Sequence, residues 1–318
     1  MQDALLFTRE PIKQRFTKFW GLLVLSAVIA TAGVASDSTA TVIGAMIVAP
    51  LMTPILGTAF SIVLSSRRDL LISAGLVLGG VVCVITLAYL FGMLLQVPLT
   101  PGNNSQVAGR VNPTLVDLIA ALATGTVGAF ALVRRDIGDT LPGVAIAISL
   151  VPPLAVVGLE LESRQYSHAG GAMLLFLTNV AAILVTGVLV FLVYGVRGTA
   201  LRLGKAPEMS LRLAIVVVAV LAVMVVVPLI AGTTQVATNT RDQAASSAAV
   251  ADWIFGSPWE VARLEVDGSE LTVTLVSDGD ELAPAGLRAQ LDDRGLGELS
   301  ARVRYVRDDQ AFIPPDQP

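Results

Sequence analysis

The sequence predicts an all-α polytopic membrane protein, seven transmembrane helices arranged as a 3+3 inverted repeat plus one, followed by a small C-terminal α+β soluble domain. Three observations carry that reading. Of 318 residues, 54% are hydrophobic and 14% charged, against about 25% charged in an average soluble domain. Apolar runs that approach or reach the ~17–25 residues needed to cross hydrocarbon recur at Trp20–Ala35, Thr39–Leu64, Leu70–Gln96, Thr114–Val133, Thr140–Leu159, Ala169–Val196 and Leu213–Ile230. From Gly232 the character changes, and the tail holds 15 of the 25 acidic residues but only 7 of the 21 basic ones.

Residues 1–19 carry Arg9, Lys13, Arg15 and Lys18 and read as a cytoplasmic segment, with the transmembrane domain over 20–231 and the soluble domain over 232–318. The first run is short. Its basic start and the small residues Gly33 and Ala35 also describe a cleavable signal peptide, but the repeat below needs it as a helix, so it is read as a span. The second run contains "VIGAMIVAPLMTPILGTAFSIVL", Val42 to Leu64, with Pro50 and Pro54 in its middle and Gly44 and Gly57 beside them. A proline inside a helix removes a backbone hydrogen bond at a cost of about 3 kcal/mol or more. In hydrocarbon such a break is tolerated only where protein or an aqueous cavity covers it.

The break recurs. Shifted by 103 positions, "IGAMIVAPL" (Ile43 to Leu51) falls on "IAISLVPPL" (Ile146 to Leu154), with identity at four of nine places. An aspartate precedes each segment (Asp37, Asp139), a glycine follows (Gly57, Gly158), and a small-residue-rich helix comes next. Repeat one covers 20–96 and repeat two 114–196, with the seventh span at 213–230. Three spans per copy make the second copy enter from the opposite side, and inverted repeats with discontinuous helices at matching positions characterise many transporters.

Lys and Arg in short loops set orientation. With the N-terminus cytoplasmic, inside segments hold twelve basic residues before the tail and outside loops hold two, Arg110 and Arg164. This predicts a multi-pass protein of a prokaryotic inner membrane with an extracytoplasmic C-terminal domain. The single cysteine, Cys83, excludes an intrachain disulfide framework.

The stretches "VIGAMIVAPLMTPILG", "PGVAIAISLVPPLAVVG" and "LLFLTN" (Leu174 to Asn179) resemble the uncharacterised hydrophobic-domain membrane family, domain of unknown function 389, over roughly Phe19 to Val196. The resemblance implies a bacterial or archaeal multi-span protein and supplies no substrate.

A path between the broken helices would be lined by Asp37, Gly44, Pro50, Pro54, Gly57, Asp139, Ser149, Pro152, Pro153, Gly158 and Asn179. The bland account of Asp37, with Ser36 and Ser38, is capping of the second span. For Asn179 it is interhelical hydrogen bonding, and for the prolines, packing kinks. Asp117 suits a helix N-terminus. Gly75 and Gly79 form a small-xxx-small face for helix packing or self-association, which predicts a homo-oligomer, dimer or trimer. Asp37, Asp139 and Asn179 together favour a cation or a proton-coupled solute.

Enzyme signatures are missing: the chain has one histidine, His168, in an outer loop, and no nucleophile elbow, zinc-protease helix or phosphate loop. No metal, cofactor or enzymatic activity is expected. In the tail, "EVARLEVDG" and "ELTVTLVSDG" alternate as strands around a tight turn, between a helical stretch at 236–254 and a second at 282–294, with a last strand at 300–306. This αββαβ order resembles the small BON-type envelope domains. Seven basic against 15 acidic residues leave it at −8, unsuited to nucleic acid or an anionic lipid surface. The function expected is a transporter or channel for a small solute or ion. The alternative is a membrane anchor for an envelope sensing or scaffolding domain.

Overall fold

The computed structural model describes residues 5–8, 11–95, 99–134, 150–196 and 198, scattered positions between 216 and 230, and 241–267, 270–277 and 282–306. The chain forms two compact units, Met1–Thr233 and Thr234–Pro318.

The first unit is helical: α1 (Ile12–Ala35), α2 (Thr39–Val48), α3 (Met52–Leu64), α4 (Arg67–Gly92), α5 (Ser105–Val111), α6 (Leu115–Val133), α7 (Val151–Glu162) and α8 (Tyr166–Val193). Side chains near the helix starts set several of these boundaries. Ser38 accepts from Thr41 N–H to start α2, Asn104 accepts from Val107 N–H to start α5, and Thr114 with Asp117 forms a capping box at α6. Among the described residues α1, α4, α6 and α8 are long and apolar enough to cross a membrane, and α2 with α3 makes a fifth candidate bent by 45°. Of the run Thr140–Leu159 only the second half is described, within α7, whose 12 residues reach about 18 Å at 1.5 Å per residue and cannot span alone. The run Leu213–Ile230 lies largely outside the described residues.

The bent pair runs from one end of α1 to the other. At the C-terminal end of α1, Asn104 Nδ2 donates to Val34 O (2.7 Å), which holds α5 there. At its N-terminal end, Thr8 Oγ1 donates to Asp69 (2.7 Å) in the first turn of α4. Pro50 falls between α2 and α3, while Pro54 is the third residue of α3, and Pro152 and Pro153 occupy the first turn of α7. First-turn N–H groups have no intrahelical partner, so these three prolines cost no helical hydrogen bond. The expected penalty is confined to Pro50.

These two short helices are the centre of the unit. Ten of the 13 residues of α3 are buried, as are ten of the 12 in α7. Each packs on the long helix that follows it, α3 on α4 and α7 on α8, and on the corresponding helix of the other half, α3 on α8 and α7 on α4. Helix α4 buries one stripe, Ser73, Leu76, Gly80, Val84, Ala88 and Gly92, whereas α8 is buried on most sides through its second half. Leu71, Leu78 and Val82 of α4 are 72%, 67% and 65% exposed, an apolar outer surface suited to lipid.

Two expectations change. Helix α1 starts at Ile12, eight residues before the expected span, and Leu5, Leu6 and Phe7 are buried in the core. Aromatic packing explains this, since Phe7 meets Phe16 and Phe19 edge-on at 5.6 and 5.7 Å, and Arg15 donates to Leu6 O (3.1 Å). Of the glycine pair on α4, Gly79 faces the Trp20 ring (3.2 Å from an added Cβ), whereas Gly75 has nothing within 4 Å. The packed glycine is Gly80, against Leu51 and Leu23.

In the second unit the sheet order is β1 (Glu260–Asp267), β2 (Glu270–Val276), β3 (Ser300–Val306), with β1/β2 antiparallel and β2/β3 parallel. The parallel pair requires a crossover, made by α9 (Pro284–Asp293). Leu271, Val273 and Leu275 alternate inward along β2 onto Leu287 and Leu291 of α9 and onto Ala249 and Val250 of the helical stretch 241–254. The tight turn expected between β1 and β2 lies outside the described residues.

A Cβ at Gly158 would lie 2.5 Å from Ile85 O and 2.9 Å from Tyr89 N of α4, backbone that cannot yield cheaply. Gly158→Ala should destabilise the protein by about 1–3 kcal/mol, while Gly75→Ala should leave stability unchanged or raise it by up to about 1 kcal/mol. Thermal unfolding of the two variants in detergent checks this; an equal response at both positions would contradict the packing.

Candidate functional site

Two cavities lie in the first unit, labelled outer for the one toward the C-terminal end of α1 and inner for the one toward its N-terminal end. The outer cavity, about 150 Å³, lies between α6, α8 and α5, and its polar lining is Arg110, Asp117, Thr124 and Asn179, with Leu175 and Ile183 completing the α8 face. Positions 175, 179 and 183 are one stripe of α8, and Asn179, the fourteenth of its 28 residues, is 4% exposed. Asp117 is already committed, accepting from Thr114 N–H (2.7 Å) and Thr114 Oγ1 (2.8 Å). Arg110 donates to Gln106 O (2.6 Å) and Oε1 (3.1 Å) and forms no ion pair among the described residues. Burial presses its guanidinium pKa down from the usual value. The lining thus offers a donor-rich cation, a carboxylate and an amide around a space that holds a few waters or one small solute.

The inner cavity, about 340 Å³, lies beside the break between α2 and α3 and is lined by Pro50 and Thr53 with Phe7, Arg15, Lys18 and Phe19. Because α5 sits at the C-terminal end of α1 while Arg15 and Lys18 sit near its start, the two cavities lie toward opposite ends of that helix.

Of the residues expected along a path, Pro50 and Asn179 line cavities, and they line different ones. Pro54, Pro152 and Pro153 are buried in helix packing. Gly57 is a contact point, its Cβ position 2.9 Å from Leu5 O and 3.0 Å from Ser73 Oγ; Gly158 packs on α4, and Gly44 faces open space. Asp139 and Ser149 lie outside the described residues. Residues flanking both helix starts, Leu51 and Met52, Leu150 and Val151, share one buried core.

Asp37 faces neither cavity. With φ at +50°, its carboxylate accepts from Ser105 Oγ (2.7 Å) and Gln106 N–H (3.0 Å), so it ties α5 to the α1–α2 turn, while capping of α2 falls to Ser38. The histidine expected in an outer loop is in the first turn of α8, where His168 Nδ1 lies 3.1 Å from Oε2 of the buried Glu160.

Residues 46–185 match the family described as Domain of unknown function (DUF389). The DUF389 segment contains the break, α3 to α7, most of α8 and the whole outer cavity, whereas the inner cavity takes Phe7, Arg15, Lys18 and Phe19 from before it. The chain is also similar to an uncharacterized protein of Methanocaldococcus jannaschii, 33% identical over 175 residues, which is 55% of this chain and 53% of that relative. The chain thus spans about half the length of this curated relative. No solved structure matches.

The Ser105 hydroxyl first, and then the Gln106 N–H, hold the Asp37 carboxyl below the usual carboxylate range, with desolvation pulling the other way. A depressed folded pKa contributes stability that is present above the ordinary value of about 3.9 and is lost as pH falls through the lowered one. Amides of α5 should therefore be better protected from exchange in the parent than in Asp37→Ala above about pH 5. The difference should close on acidification; a gap independent of pH would contradict this role.

Proposed function

We propose that the protein is an integral membrane transporter or channel for a small polar solute or ion, with the path running between two inverted three-span repeats. The carrying observation is the matched pair of short, proline-opened helices, α3 and α7, each packed against its own repeat's last helix and against that of the other repeat, the exchange that a pseudo-two-fold axis produces. In support, a cavity reaches the break from one end of α1 and another reaches Asn179 from the other end. In this reading the described spans, a second broken span completed by α7 and a seventh over 213–230 make seven, with the N-terminus cytoplasmic and the second unit extracytoplasmic in a prokaryotic inner membrane. The open Cβ side of Gly75 leaves that face of α4 to lipid or to a second copy in a dimer or trimer.

The preference for a cation or proton-coupled solute drew on Asp37, Asp139 and Asn179. Of these Asn179 alone lines a described cavity, beside Arg110 and Asp117. A lining of both signs suits a small zwitterionic or hydrogen-bonding solute as well as a lone cation, and Asn179 orients it. A pure anchor would gain nothing from the paired short helices.

Purified protein in liposomes should pass small ions or polar metabolites, and Asn179→Leu should slow that flux about tenfold, the factor expected for one lost hydrogen bond of ~1.4 kcal/mol. No flux of any solute from the parent, or equal flux from folded parent and variant, would leave the anchor reading in its place.

A further inference from the structure

The inner cavity carries a feature that a path alone does not require. Arg15 and Lys18 stand three residues apart on α1, hence on one face, and both line the cavity together with Thr53 from the first turn of α3. Neither basic residue forms an ion pair among the described residues. Arg15 spends one donor on Leu6 O, leaving four of the five a guanidinium offers. Lys18 is exposed and makes no hydrogen bond among the described residues, and the Thr53 hydroxyl makes none there either. Among the described residues no carboxylate lines the space, and Phe7 and Phe19 give it an aromatic wall. Two like charges one turn apart repel, and the cost is relieved when an anion sits between them.

A volume of about 340 Å³ is at the small end of ligand pockets. Arginine and lysine together are the usual partners of phosphate oxygens, through short charge-assisted bonds, and a hydroxyl adds a further donor. Basic pockets between membrane helices on the cytoplasmic side hold lipid head groups in the same way.

We infer that the cavity of Arg15, Lys18 and Thr53 is a binding site for a phosphate group, carried either by a phospholipid head group or by a free anion. The inference does not depend on transport, since an anchor would hold a head group here equally well. The bland account of these two residues, that they only set membrane orientation, applies equally to Arg67 and Arg68 at the start of α4, which line neither cavity and therefore serve as the control.

The test uses the full chain, delipidated in detergent. Inorganic phosphate, dioleoylphosphatidylglycerol and dioleoylglycerol, which lacks the phosphate, are titrated while the thermal midpoint is followed, and native mass spectra are recorded for retained lipid. A ligand that binds only the folded state raises the midpoint. Dioleoylphosphatidylglycerol or inorganic phosphate should do so and dioleoylglycerol should not; the phospholipid acting alone assigns a lipid source, and inorganic phosphate acting alone assigns a free anion. Lys18→Gln, which disturbs no described bond, should weaken binding about tenfold. Arg15→Gln/Lys18→Gln should abolish it, and Arg67→Gln/Arg68→Gln should leave it unchanged. Binding of neither phosphate probe, or equal loss in the two double variants, would overturn the site.

Discussion

A backbone group inside hydrocarbon has no water to turn to, and the organisation of the first unit follows from how it meets that demand at Ala49 to Leu51. Pro50 has no N–H to offer Met46 O. Bonds close to the break hold its two sides: Thr53 N–H donates to Pro50 O (3.3 Å) and Ala49 N–H keeps its helical bond to Ala45 O (3.1 Å), to which Ser26 Oγ of α1 adds a second donor (2.9 Å). The rest of the solution is burial. Helix α3 is wrapped by α4, α8 and the N-terminal segment, so its irregular start meets protein or a cavity. Helices α1, α4 and α6 are left to face outward with one packed stripe each, while α8 packs into the core on most sides.

Features written in local spacing were legible in the sequence. Apolar run length located the long helices to within a few residues, except at the start of α1, and the prolines located the break. The Thr114 to Asp117 capping box is likewise a three-residue signal. Features that depend on partners far along the chain were not legible. Asp37 is bonded to residues 68 and 69 positions away, and nothing in "ASDSTATV" reveals that its helix-capping capacity is spent on α5. Gly75, Gly79 and Gly80 are nearly adjacent in sequence, yet the burial of Gly80 depends on Leu51 and Leu23. The fate of the basic N-terminal segment turned on Phe7, Phe16 and Phe19 meeting as a cluster, which no hydropathy window over the spans records.

The two cavities differ in the same way. Asn179 could be placed at mid-membrane by counting along its helix and Asp117 at a helix start, but their neighbour Arg110 comes from a short helix that reads as outer loop, and only the fold brings the three together. Arg15 and Lys18 read as orientation signals, and only the fold sets them beside Pro50 and Thr53. The DUF389 segment thus holds the outer cavity complete, while the inner one is finished by residues outside it. The second unit closes its own core through β2 and α9.

The central claim is that the bent pair α2 and α3 crosses from one side to the other, so that the two cavities open on opposite faces of the membrane. Single cysteines at Thr53→Cys and Thr124→Cys, each in a Cys83→Ser background, can be probed with a membrane-impermeant thiol reagent in right-side-out and inverted vesicles. The account predicts labelling of Thr53→Cys from the cytoplasmic face alone and of Thr124→Cys from the opposite face alone. Labelling of both from one face, or of neither from any, would contradict it.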